Sequence, residues 1–415
     1  MEPIKRYEYS ELMVRLSTTL YTRIHCGFRQ VVKMMEVINE AFDGVLGKVP
    51  CHTTIENWVK KCGLKVYETA GTEWQDTEYA QMVDESMMIG SEKLLLTLGV
   101  PAAHSERPLR CTDVQILDMA VAASWNGENI SEHLQTAAHR VGHAPLYVIS
   151  DNASVMNKGI RCSGFPQQRD ISHSLGMLLE RVYKNANDFK AYLKLMTEPK
   201  FKHNMKKIAY LLPPRQRTVA RFMNLSEWVN WSSRLLRNYH TLSVEERAVF
   251  AFVPQNASLI DELSEVIQCV NQIEFLCKHK GFSSETVGAC RQKIRQCLLR
   301  GNSRMIRLGE SIWRFLTEEE KVLSPHIAHN NSSDIIESLF GQYKARKSFN
   351  KLNGVTPFIL FLPIYTQLNG PIPNKLFDFK EALEEKRMEH LELWKKDHLS
   401  PNLAQLRNQC LKKSA

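Results

Sequence analysis

The feature that most constrains this 415-residue chain is a change in apolar periodicity near residue 79. Before it the pattern is helical, and after it short apolar runs alternate with turn residues, which is typical of strands. Three strand-like runs come first, a helix follows, and a short apolar run typical of a buried parallel strand comes last. In chain order these segments are 80–90, 93–100, 114–124, 130–141 and 145–152. The order predicts an α/β fold with a mixed sheet flanked by helices.

The first 72 residues predict a helical segment that precedes the sheet. One helix is expected over 27–43, and a second follows a short link, with Thr53 or Thr54 as its cap and Gly63 as its end. Two helices joined by a tight link resemble a helix-turn-helix unit. The second helix would then present side chains to a DNA groove, among them Thr53, Asn57 and Lys60. The alternative is a small helical hairpin with no role in binding.

After residue 172 the pattern becomes helical for about 150 residues and strongly basic. Residues 181–222 hold eleven basic and two acidic side chains, and residues 278–307 hold eight and one. The net charge of 181–222 alone, +9, equals that of the whole chain. Such concentration predicts one basic face that binds an anionic polymer, and nucleic acid is the commonest such partner. A solvated helix surface is the alternative.

Composition excludes several classes of protein. With 43% hydrophobic and 24% charged residues, the chain is neither a long disordered polymer nor a coiled coil. The ten cysteines include no C-x-x-C pair, so reduced thiols in a cytoplasmic protein are expected rather than a zinc site. No apolar run is long enough to span a membrane, and no signal-peptide core is present, so no membrane partner is expected.

Two acids occupy corresponding places on predicted strands. Asp84 lies on the first strand, and Asp151 ends the strand that follows the crossover helix. If these strands pair in parallel, their carboxyl ends lie about 4.8 Å apart, and two carboxylates so close need a cation between them. Hard oxygen ligands suit Mg²⁺ or Mn²⁺, and two such ions serve reactions at phosphorus. Asp113 and Asp118, near the third strand, are expected to be surface charges.

A third acid, Glu337, lies on a helix predicted from Asp334 to Lys347, after the cap cluster at 330–333. Lys344 follows seven residues later, nearly two helical turns, so both side chains share a stripe about 10 Å long. The acid would hold a metal and the lysine a neighbouring phosphate. An ordinary amphipathic helix is the alternative. Ile336, Leu339, Phe340 and Tyr343 are its predicted buried side, and rival acids are Glu310, Glu318, Glu319 and Glu320.

Three segments carry a resemblance to a known family: 82–86 (MVDES), 147–152 (YVISDN) and 334–344 (DIIESLFGQYK). With the order of strands and acids and the N-terminal helices, they make the chain resemble a bacterial insertion-sequence transposase of the DDE type. That family has an RNase H-like catalytic domain, and its hAT-like and Mutator-like branches carry a helical insertion. The resemblance spans most of the chain. It implies that Asp84, Asp151 and Glu337 bind two Mg²⁺ (or Mn²⁺) ions for DNA strand cleavage and transfer.

The resemblance also implies partners and auxiliary residues. Residues 169–173 (RDISH) are similar to a Cys-x-x-His motif of those branches, with Asp170 where cysteine is usual. Asp170 and His173 are therefore auxiliary candidates, and a core or capping histidine is the alternative. The expected partner is double-stranded DNA, both element ends and target. A homodimer or larger assembly in the cytoplasm, associated with the nucleoid, is expected because two ends of a mobile element must be joined.

The expected organisation has five segments, and two other functions remain open. The segments are a helix-turn-helix domain (1–72), the first part of the catalytic domain (73–180), a basic all-α insertion (181–325), the last part of the catalytic domain (326–370) and a charged helical tail (371–415). One alternative function is an RNase H-like nuclease or resolvase. The other is a catalytically inactive DNA-binding protein derived from a transposase.

Overall fold

The computed structural model describes residues 4–5, 7–86, 88–215, 222, 225–347, 350–369, 377–401 and 403–413. Some predicted segments include positions outside these ranges: Met87 in the first strand-like run, 216–221 in the basic run, and 370–376 at the start of the tail. The chain divides into two compact units. The first comprises Met1–Ala102, Leu109–Gln167 and Ser333–Ala415, and the second comprises Ala103–Pro108 and Gln168–Ser332.

The described residues are mostly helical, with one small sheet, so the protein is mixed α/β. The strands are β1 (Tyr79–Glu85), β2 (Lys93–Pro101), β3 (Gln115–Ala122), β4 (Val148–Ser150) and β5 (Gln167–Arg169). Five helices of the first unit come before the second unit in the chain: α1 (Glu11–Ile24), α2 (Phe28–Ala41), α3 (His52–Glu68), α4 (Gly127–Val141) and α5 (Ser154–Ser163). Five more come after it: α14 (Asp334–Arg346), α15 (Phe361–Leu368), α16 (Phe379–Glu385), α17 (Met388–His398) and α18 (Leu403–Lys413). Those of the second unit are α6 (Ile171–Tyr183), α7 (Asn187–His203), α8 (Leu225–Asn238), α9 (Val244–Val249), α10 (Phe252–Gln255), α11 (Ala257–Lys280), α12 (Ser284–Cys297) and α13 (Ser303–Glu320). No described helix is both long and apolar enough to cross a membrane.

The sheet has the strand order β3-β2-β1-β4-β5. The first three strands form an antiparallel meander, and β4 joins the other side of β1 in parallel. Both the mixed sheet and the parallel pairing are as predicted. Helices α4 and α5 bury their apolar faces against Val83, Leu95 and Val148. The chain can add β4 in parallel because α4 carries it back along the sheet.

Helix α3 lies at the centre of the helical part of the first unit and contacts α1, α2, α15, α16 and α17. A Cβ on Gly63 would lie 1.9 Å from the backbone oxygen of Leu360, so only glycine allows this close approach. The prediction that Gly63 ends the helix is wrong, because this glycine serves packing and α3 continues to Glu68. The helix begins after Cys51, which takes the cap position predicted for Thr53 or Thr54.

The second unit is helical and has its own core, built from α6 to α13. It holds 26 basic and 17 acidic residues, a net charge of +9, whereas the first unit holds 28 of each. The whole formal excess of positive charge therefore belongs to the second unit. Within it, the buried carboxylate of Glu319 accepts hydrogen bonds from the Arg169 N–H at 2.8 Å and from Gln168 Nε2 at 2.7 Å. Burial raises the pKa of Glu319, and the nearby Arg169 charge partly offsets this.

Candidate active site

Asp84 and Asp151 occupy matching positions on β1 and β4. The parallel register sets Gln81 beside Val148 and Met82 beside Ile149. Each acid comes two residues after a paired position, Asp84 inside β1 and Asp151 directly after β4. Continued by two residues, this register brings both acids to the carboxyl edge of adjacent strands, which are about 4.8 Å apart.

Local hydrogen bonds hold both aspartates. One oxygen of Asp84 accepts from the Glu85 N–H at 2.8 Å, and one oxygen of Asp151 accepts from the Ala153 N–H at 3.0 Å. Both side chains are half-buried. The neighbouring Glu85 forms an ion pair with Lys93 at 2.6 Å. The backbone therefore fixes one side of each carboxylate.

Helix α14, which contacts β1, carries the third acid. It begins at Asp334 and contacts β1, and its buried residues are the predicted ones, so the prediction of its buried side is confirmed. That face consists of Ile336, Leu339, Phe340 and Tyr343. Glu337 is exposed on the same helix. A helix that contacts β1 thus carries an exposed acid in the unit that holds Asp84 and Asp151.

Lys344 links α14 electrostatically to the sheet. Its ammonium lies 5.9 Å from the centroid of the Phe340 ring, and the residue is half-buried. Burial lowers the pKa of Lys344, while the negative charges of Asp84 and Glu337 act in the opposite direction. The lysine is therefore within electrostatic range of an acid on β1 and of an acid on α14.

The three candidate acids do not form a compact cluster in this structure. Among the described residues, no group of three or more Asp, Glu, His or Cys side chains is arranged to hold a metal ion. Asp84, Asp151 and Glu337 thus occupy neighbouring elements but do not form a ligand cluster in this structure. Their donor chemistry, three carboxylates, is that of a Mg²⁺ or Mn²⁺ site.

The predicted DNA-reading residues lie along one stripe of α3. Positions 53, 57 and 60 are spaced by four and three residues, which places them on a common face. Thr53 is exposed, whereas Asn57 and Lys60 are half-buried. The Lys60 ammonium pairs with Glu56 at 2.5 Å. Two of the three side chains are therefore partly covered, and α3 belongs to the same compact unit as the sheet.

The auxiliary candidates belong to the second unit. Asp170 is the N-cap of α6, and its buried carboxylate accepts from the His173 N–H at 2.7 Å. Helix capping thus gives Asp170 a structural role. The rival acids are also engaged in this unit: Glu318 and Glu319 pair with Arg169, and Glu320 pairs with Arg291.

Sequence reasoning missed one polar cluster in the first unit. Asp118 was expected at the surface but is 8% exposed, with one oxygen 2.8 Å from His133 Nδ1 and the other accepting from the Tyr67 hydroxyl at 2.7 Å. Burial alone would raise the pKa of Asp118. The hydrogen bond and charge of His133, together with the hydrogen bond from Tyr67, outweigh burial and lower that pKa to about 2. Strand alternation could not have found it, because the β2–β3 register shifts between Ile116 and Asp118 and the four residues from Ile116 to Met119 are all buried.

Comparison with protein-family models finds no match to this chain, and comparison with curated proteins finds none either. Function is therefore inferred from the residues and their arrangement.

Proposed function

We propose that this protein is a DDE transposase with an RNase H-like catalytic domain, which cleaves the DNA ends of a mobile element and transfers them to target DNA. The observation that carries the proposal is the contact of β1 with both β4 and α14. The β1–β4 register brings Asp84 and Asp151 to one sheet edge, and α14, which carries Glu337 and Lys344, packs against β1.

The topology supports the same proposal. An antiparallel meander, a helix and a parallel fourth strand follow one another in the order that the transposase resemblance implies. A helical unit with a net charge of +9 separates the second acid from the third. In this proposal it is the insertion, and its positive charge attracts DNA phosphates regardless of sequence.

The residues have distinct roles in the proposed reaction. Asp84, Asp151 and Glu337 hold two Mg²⁺ or Mn²⁺ ions, whose chemistry is to activate an attacking oxygen and to stabilise a leaving oxygen at phosphorus. Lys344 binds a phosphate beside the one that is cut. Thr53, Asn57 and Lys60 of α3 contact the element ends. Since two ends must be joined, the working form is a homodimer or a larger assembly in the bacterial cytoplasm.

The test uses the purified full chain, Mg²⁺, and DNA carrying the sequences that flank its coding region. We expect cleavage at those ends and joining to a second DNA. Asp151→Asn should abolish both reactions and leave DNA binding in a gel-shift assay unchanged, because it removes a charge that holds metal but none that holds phosphate. Asp76→Asn, at an exposed carboxylate of the same unit, is the matched control and should remain active.

Other results would select other functions. Cleavage without joining would indicate a nuclease or resolvase. Binding that needs no Mg²⁺ and leads to no cleavage would indicate an inactive DNA-binding protein. Cleavage by Asp151→Asn at the rate of the unaltered chain would contradict the assignment of the site.

A further inference from the structure

Gly341 lies inside α14, between Glu337 and Lys344. It is exposed, and a Cβ built on it would meet no heavy atom within 4 Å among the described residues. It is not among the glycines of positive φ, so an alanine could adopt its backbone conformation. Glycine is among the least favourable residues in a helix interior. Neither packing within the described chain nor backbone geometry therefore requires it.

The position of Gly341 on the helix is informative. At 3.6 residues per turn, positions 337, 341 and 344 fall on one face, and at 1.5 Å per residue Gly341 stands about 6 Å from Glu337 and about 4.5 Å from Lys344 along the axis. Helix α14 contacts β1, the strand that carries Asp84. The glycine thus leaves a bare stretch of helix between an acid and a cation.

We propose that Gly341 is where the sugar–phosphate backbone of the bound DNA strand makes van der Waals contact with α14. This inference rests on the proposed function. Glycine permits such close approach of a backbone to a ligand, and Lys344, one turn further on, offers a cation to the next phosphate. A side chain at 341 would hold the strand away from Glu337 and Lys344. Gly341 is thus a positioning residue, and none of its atoms reacts.

Gly341→Ala and Gly341→Gln test the inference, with Gly288→Ala as the matched control. Gly288 lies inside α12 of the second unit and is likewise exposed, with no described heavy atom within 4 Å of a Cβ. Both alanine variants should raise the thermal midpoint, because alanine favours the helix. Gly341→Gln should weaken DNA binding at least tenfold and slow cleavage at saturating DNA, Gly341→Ala less so. Because α12 belongs to the basic unit proposed to attract DNA, Gly288→Ala controls for helix stiffening alone and should leave cleavage at saturating DNA unchanged.

Each possible result decides the matter. If the unaltered chain cleaves end-bearing DNA and Gly341→Gln binds and cleaves equally well, the close approach does not occur although the proposed function stands. An equal loss in Gly288→Ala would attribute the effect to helix stiffening and overturn the inference. A lower thermal midpoint in Gly341→Ala would show that packing needs the glycine and would also overturn it. If the unaltered chain cleaves no such DNA, the proposed function itself fails.

Discussion

The buried Asp118 carboxylate should stabilise the first unit by an amount that the structure allows to be worked out. Its pKa falls from the ordinary 3.8 to about 2, against the effect of burial and because of its hydrogen bonds to His133 and Tyr67. At 1.36 kcal/mol per pKa unit, this corresponds to about 2 kcal/mol at neutral pH. Asp118→Asn removes the charge and should therefore lower the free energy of unfolding by about 2 kcal/mol at pH 7.

The pH dependence has a definite sign. Since the folded-state pKa of Asp118 is the lower one, its contribution is complete well above pH 4 and is lost as the pH falls toward 2. Over that pH range, the free energy of unfolding of the unaltered chain should therefore approach that of Asp118→Asn. The difference between the two should shrink by roughly 1 kcal/mol between pH 7 and pH 3.

Urea unfolding of the full chain at pH 7 and pH 3 measures this difference. Asp76→Asn is the control, because Asp76 is exposed and forms no ion pair with another described residue. It should stay within about 0.5 kcal/mol of the unaltered chain at both pH values. The reasoning is refuted if Asp118→Asn unfolds like the control at pH 7, or if its penalty is as large at pH 3 as at pH 7.

Two further substitutions test the packing of α3 and the role of Lys344. Gly63→Ala sets a methyl group against the backbone oxygen of Leu360, and overpacking of this kind should cost about 1–3 kcal/mol. A thermal midpoint equal to that of the unaltered chain would contradict the observed contact. Lys344→Ala should weaken DNA binding about equally for all sequences and reduce the slope of log affinity against log salt by about 1. An unchanged slope would show that Lys344 contacts no phosphate.

Much of the first unit follows from local sequence patterns. The meander, α4 and β4 were predicted from the spacing of apolar residues, which is that of strands and then of a helix. This spacing can be read within each segment, without knowing which distant residues it contacts. The buried face of α14 was predicted for the same reason. The charged tail was predicted as one helix, whereas α16, α17 and α18 are separate. The backbone is extended at Lys386 and Arg387, and Pro401 precedes the last helix.

The remaining features depend on contacts between distant parts of the chain. Gly63 resembles a helix end until Leu360, almost 300 positions later, is seen against it. Asp118 resembles a surface charge until His133 and Tyr67 are placed beside it. At the candidate site, the sequence indicated which elements carry Asp84, Asp151 and Glu337. It could not give the packing of α14 on β1, because 253 positions separate Asp84 from Glu337.

The central claim is that acids from β1, β4 and α14 jointly bind divalent ions. Electron paramagnetic resonance of Mn²⁺, titrated into the full chain with DNA present, measures this binding without requiring turnover. The account predicts tight Mn²⁺ binding by the unaltered chain and its loss in Asp84→Asn, Asp151→Asn and Glu337→Gln, with Asp76→Asn unaffected. Equal Mn²⁺ binding by the unaltered chain and all three of these variants would contradict it.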